Sequence, residues 1–219
     1  MAAPAHWPAV VPSSGTSSWY VRSQELQHHR WRVRCHVDDR HPDGEVIADP
    51  GLLDDTFLLW DADLDERGRP VLSVNPAVSP GAPPVWFVHL DEPAAHPPAT
   101  LLVAFATDHL PPGTVVTDPV FFSMPVVNDD QVGAIRWWHG DAVVDQLFVR
   151  DDLRRRHVGT VLIYAASAFH QFNGWAGRLH SDGRRTQLGE ALVTGLRHPD
   201  RIARLQQLMP PMDPGTATT

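Results

Sequence analysis

The sequence predicts an α+β fold, and three observations carry that prediction. Short apolar strands punctuated by proline and glycine fill the first two thirds of the chain. Val158 to Phe172 then follows the spacing of a buried helix, and shorter strand and helix signals alternate after it. This order gives a mixed sheet that begins as a β-meander and ends in a strand-helix-strand-helix unit.

Taken in order, residues 1 to 17 are rich in Pro, Ala and Ser and read as a flexible arm. Arg30 to Val37 alternates Trp31, Val33, Cys35 and Val37 with polar partners, the period of a half-buried strand. Further strands are expected at Thr56 to Trp60, Val85 to Leu90, Leu101 to Thr107, Thr114 to Phe122, Val132 to Trp138 and Ala142 to Val149. Asn75 to Pro84 and Asp91 to Pro98 are too proline-dense for a central strand, because proline lacks an N–H for the ladder.

Val158, Val161, Leu162, Ala165, Phe169 and Phe172 mark one helix face, Ile163 and Ala166 make the other apolar, and Gly174 can end the helix. Arg178 to Ser181 reads as a short strand, Leu188 to Leu192 as a helix capped by Gly195, and Asp200 to Met209 as an amphipathic helix. A tail follows from Pro210, and no internal repeat stands out. The expected organisation is an arm (1–17), one domain (18–209) and a tail (210–219), the domain dividing into a β-rich half (18–130) and a core (131–196).

Of the 219 residues, 42% are hydrophobic, enough for a sizeable core. The apolar run from Val158 to Phe169 is too short to cross a bilayer, and the N-terminus lacks the basic start of a secretory signal, so a cytoplasmic, membrane-free protein is expected. Cys35 stands alone, which excludes an internal disulfide and a CxxC metal pair. All 18 basic residues are arginine, as codon bias in a GC-rich genome would produce.

The formal net charge of −8 is unevenly spread. Residues 38 to 66 hold eleven acids against one arginine, while residues 150 to 204 hold ten arginines and five acids. The acidic segment reads as a solvated run that also suits an amine substrate, and no broad basic face exists for nucleic acid.

The run Val149-Arg-Asp-Asp-Leu-Arg154-Arg-Arg-His-Val-Gly159-Thr160 joins an apolar strand to an apolar helix through a cationic loop. A helix start leaves its first N–H groups unpaired and carries partial positive charge, so arginines and a glycine there suit a phosphate-bearing ligand. Other constellations fail. Asp61-x-Asp63-x-Asp65 resembles a calcium loop, but Glu66 and Leu72 occupy its required glycine and bidentate-acid positions. His28, His29, His36 and His41 match no zinc spacing, and G-x-S-x-G, dinucleotide and P-loop motifs are absent. Trp137 and Trp138, neighbours on a strand, face opposite sides.

Gln146-Leu-Phe-Val149 followed by Arg154-x-x-His-x-Gly159-Thr resembles the acyl-CoA loop of the GNAT superfamily of N-acetyltransferases, whose pattern is Gln/Arg-x-x-Gly-x-Gly/Ala. Leu179-His-Ser-Asp182 and Arg185-Thr-x-x-Gly189 resemble the next strand and helix, so the likeness spans roughly residues 131 to 196. His157 and Arg155 stand where the family has glycines, and its two final strands have no counterpart after Gly195. The resemblance implies a mixed, mostly antiparallel sheet flanked by helices, with an atypical β-rich N-terminal half.

It further implies that the backbone at Leu147, Phe148 and Val149 pairs with pantetheine amides. Arg154, Arg155, Arg156, His157, Val158, Gly159 and Thr160 would hold the diphosphate of acetyl-CoA or another acyl-CoA, using charge-assisted hydrogen bonds. The implied reaction moves an acyl group from the thioester to an amine of a small molecule or peptide.

Freeing the lone pair of such an amine, with a pKa near 10.4, costs about 4.6 kcal/mol at neutral pH. A base is therefore needed, and Asp145 is the first candidate, with His139 and Asp141 as substitutes. Asp145 equally fits a strand-end carboxylate satisfied by arginine. Ser181 is the candidate donor to the leaving thiolate, since Tyr164 falls inside the helix and Tyr20 is remote, although serine there also suits a helix cap. A catalytically silent binding module of the same fold is the alternative. The amphipathic C-terminal segment and the tryptophans make a homodimer plausible.

Overall fold

A computed structural model describes residues 12, 15–27, 30–48, 53, 55–193 and 202–209. The first sheet contains β1 (Ser18–Gln27), β2 (Arg30–Val37), β3 (Val46–Ala48), β4 (Phe57–Leu64) and β5 (Pro70–Val74), in the order β3-β1-β2-β4-β5. The second contains β6 (Trp86–Glu92), β7 (Ala99–Phe105), β8 (Val115–Thr117), β9 (Gln131–Trp138) and β10 (Val143–Val149), in the order β10-β9-β7-β6-β8. A short helix α1 (Asp118–Phe121) follows β8, and α2 (Val158–Phe172) follows β10. Next come β11 (Arg184–Arg185), α3 (Gln187–Val193) and β12 (Gln207–Leu208). The α+β class with mixed sheets holds, each large sheet having one parallel pair among antiparallel ones.

The two sheets are one strand pattern used twice. In each, the third strand lies parallel to the first, with Tyr20 opposite Val46 in one and Phe87 opposite Val115 in the other. Tyr20 N donates to Glu45 O at 2.7 Å, as Phe87 N does to Thr114 O at 2.8 Å. Trp19 stacks on His36 and its Nε1 donates to Asp38, while Trp86 stacks on Phe105 and donates to Thr107. A bulge falls between Cys35 and His36 and again between Ala104 and Phe105.

The match continues past the last strand, where Asn75 N donates to Leu59 O and Arg150 N to Val132 O before one 3-10 turn each. No repeat was expected from sequence because little of it survives. Pro42-x-Gly44-x-Val46-x-x-Asp49-Pro50 returns as Pro111-x-Gly113-x-Val115-x-x-Asp118-Pro119, and Trp19-Tyr-Val as Trp86-Phe-Val. Hairpins of different length hide the rest.

Only the second unit continues into a long helix, and α2 packs against β2, β4 and β5 of one sheet and β7, β9 and β10 of the other. Leu162, Ala165, Ala166, Ala168, Phe169 and Phe172 are all 2% exposed or less. The alanines allow close approach, and each buried Leu or Phe contributes roughly 1.5–3 kcal/mol. The expected sheet between helices is therefore replaced by a helix between sheets, because the N-terminal half supplies a second apolar face. Cys35 packs in this core, its Sγ directed at His36 O.

Three local expectations are corrected. Thr114 to Phe122 is strand only over β8, then turns into α1, since Pro119 suits a first helical turn and not a ladder. β1, β3 and β5 carried weak signals and were not expected. Residues 202–209 are extended, not helical: Ala203 N donates to Ser181 O, Gln206 N to Gly183 O, and β12 runs parallel to β11. A segment this short gains more from those partners than from a costly helix nucleus. Gly195 and the tail from Pro210 lie outside the described residues, as do residues 1–11 of the arm.

Candidate functional site

β10 forms one edge of the second sheet, and the only segment bridging that edge among the described residues is the one after α2. Val144 N donates to His180 O at 2.9 Å and His180 N to Ala142 O at 3.0 Å. The bridge stops there. Further along β10, Arg150 N points inward to Val132 O, so alternation turns the backbone groups of Leu147 and Val149 outward. We call this edge the slot: it is clasped at Val144, and from Leu147 to Val149 its outward groups have no backbone partner among the described residues.

The cationic loop lies at the open end. After a 3-10 turn over Asp151–Leu153, Arg155 and His157 adopt left-handed backbone, φ 63° and 58°. His157 stands at the first glycine of the resembled pattern and Arg155 where another glycine is common, and holding side chains in this backbone costs on the order of 1–2 kcal/mol each. The first α2 bond runs from Val161 N to His157 O at 3.0 Å, and the side chain of His157, the N-cap residue, does not cap the helix. The N–H groups of Val158, Gly159 and Thr160 thus have no intrahelical acceptor. Arg154 pairs with Asp151, whereas exposed Arg155 and Arg156 form no ion pair among the described residues. Gly159 is buried between β10 and α3: a Cβ there would lie 3.6 Å from Leu147 and 3.3 Å from Leu192.

Asp145 sits at the closed end, directly after Val144. A bulge at this point puts both Asp145 and Gln146 opposite Arg136, so Asp145 does not share the side of Leu147 and Val149, as simple alternation suggested. It faces the side of the sheet away from α2 and pairs with Arg136, which also binds Glu92 at 2.8 Å. Burial works against the charge of Arg136, but its hydrogen bonds to Glu92 and Asp145 outweigh it and hold the guanidinium pKa above its ordinary value.

Ser181 Oγ accepts from Arg185 Nη1 at 3.0 Å and from Gly183 N at 3.3 Å, which makes it a turn brace at the slot's far wall. Phe148 is exposed on the outer face. His139 lies near Thr100 and stacks on Trp175, Asp141 is exposed, Tyr164 is buried in α2, and Tyr20 stacks on Trp60.

Sequence reasoning missed Arg136, whose role needed the β9–β10 register, and Leu192, whose role needed the placement of α3. It also missed Trp175, which lies edge-on to Trp137, Phe169 and His170 and anchors the chain leading to the slot wall. The acidic run is largely used internally: Asp38 holds Trp19, Asp43 binds Ser18 N, and Asp65 closes the turn to Arg69. Among the described residues no group of three or more side chains is placed to hold a metal ion, and no helix is long and apolar enough to cross a membrane. Compared with known proteins, the chain matches no family model, no curated protein and no solved structure.

Proposed function

We propose that the chain is an acyl-CoA-dependent N-acyltransferase that moves an acyl group, acetyl in the simplest case, to an amine of a small molecule or peptide. The observation that carries the reading is a strand edge followed by a cationic helix start: Leu147–Val149 have no edge partner among the described residues, and the α2 start at Val158–Thr160 lies just after three arginines. Outward peptide groups of the edge pair with the amides of pantetheine. The N–H groups of the helix start and the guanidinium groups of Arg154, Arg155 and Arg156 hold the diphosphate.

The thioester then lies at the clasped end, next to Asp145. Its carboxylate, oriented by Arg136, takes the proton of an amine arriving from the outer face of the sheet as the nitrogen attacks the thioester carbon. The thiolate leaves with a proton from solvent or from Ser181, once Ser181 is released by Arg185.

Acetyl-CoA at a hundred times its Kd is expected to stabilise the fold by about 2.7 kcal/mol, roughly 5–11 °C in Tm for a chain of this size. Thiol release with a panel of amines follows if the chemistry operates. The engagement of Asp145 by Arg136 favours a second reading, a binding module without turnover. Binding without thiol release selects that reading. Absence of any thermal shift, together with no change on Arg154→Ala, rejects the acyl-CoA site and leaves a module for another ligand or a protein partner.

A further inference from the structure

The duplicated sheets meet at two equivalent joints, and the joints differ. At the first, Leu72 N of β5 donates to Gly113 O at 2.9 Å and Val71 bridges Thr114. A Cβ on Gly113 would lie 2.4 Å from Leu72 O, so the edge is sealed by backbone against backbone. The repeat equates Leu72 with Leu147 and Gly113 with Gly44, since Leu72 faces Ala62 across the ladder as Leu147 faces Ile135.

At the second, no backbone hydrogen bond joins Gly44 to β10 among the described residues. Against Gly44 lies the side chain of Arg178, 2.7 Å from where a Cβ of Gly44 would be. Its Nη1 pairs with Asp43 Oδ2, while Asp43 Oδ1 accepts from Ser18 N at 2.9 Å. Two residues on, His180 clasps β10 at Ala142 and Val144.

We infer that the Asp43–Arg178 pair is a latch tying the Arg178–Ser181 wall to the first unit. It keeps open along β10 the joint that Gly113 seals along β5, so that one slot per chain takes an extended, amide-bearing ligand arm. The nature of that arm rests on the acyl-CoA reading; the latch does not. Asp43 and Arg178 are positioning residues, since neither lies on the edge itself.

Amide hydrogen exchange on the full chain tests this without any ligand. Arg178→Ala is expected to speed exchange at Val144 and His180 on the order of tenfold while the central β7 amides keep their protection. Asp43→Asn should do the same more weakly, and the double swap Asp43→Arg with Arg178→Asp should restore it. Unchanged exchange in both single variants overturns the latch. So does a uniform loss across both sheets in Asp43→Asn, or a swap that restores nothing.

With acetyl-CoA, Arg178→Ala should raise KM by a similar factor with kcat retained. Failure of the native protein to bind acetyl-CoA rejects the acyl-CoA reading, and the exchange result still decides the latch.

Discussion

Asp61 offers the sharpest test of the energetics. It lies on β4 between Arg34 and Ser73, largely buried, and its Oδ1 has no hydrogen-bond partner among the described residues. Burial pushes its carboxyl up from 3.8 to about 6; Arg32 and Arg34 oppose the shift, and Asp63 adds to it. A folded-state value above the unfolded one means the native protein holds this proton more tightly. The associated stability is present below pH 4 and is lost as pH rises toward 6.

The rise from 3.8 to about 6 corresponds to about 3 kcal/mol, the cost of carrying the buried charge at pH 7. Asp61→Asn removes that charge while keeping the shape. It is expected to be more stable than the native chain at pH 7 by up to about 3 kcal/mol, or roughly 6–12 °C in Tm. Urea unfolding of both proteins from pH 3.5 to 7.5 gives a difference curve that should rise between pH 4 and 6. A flat difference curve, or a less stable variant at pH 7, refutes the reasoning.

His170 should act in the opposite direction. Its Nε2 meets Ala176 O at 2.9 Å, its Nδ1 is buried without a partner, and burial, aided by His139, lowers its pKa despite that carbonyl. Its contribution is full above about pH 6.5 and is lost as pH falls below, so His170→Gln should flatten that part of the unfolding profile. Gly113→Ala meets both a φ of +81° and the Leu72 carbonyl, and should cost at least about 3 kcal/mol in chemical denaturation. Gly68→Ala, with φ +74° and open space around it, should cost only about 1 kcal/mol. His157→Gly relieves left-handed strain and lets the loop backbone approach a diphosphate. Calorimetry should show acetyl-CoA binding a few-fold tighter with stability changed by less than about 1 kcal/mol. An unchanged Kd would count against the loop as the diphosphate cradle.

Local periodicity determined much of this protein from sequence alone. β2, β9, β10 and α2 fall where alternation and helical spacing put them, because each buries an apolar face whose period belongs to the segment itself. The cationic loop was legible for the same reason, being set by consecutive residues. The tertiary structure alone decided the rest. The bulge that turns Asp145 toward Arg136, the partners that hold residues 202–209 extended, and the repeat that sets Leu147 against Leu72 all depend on pairing between distant strands. A register or a joint is a relation between two segments, and no pattern within either one encodes it.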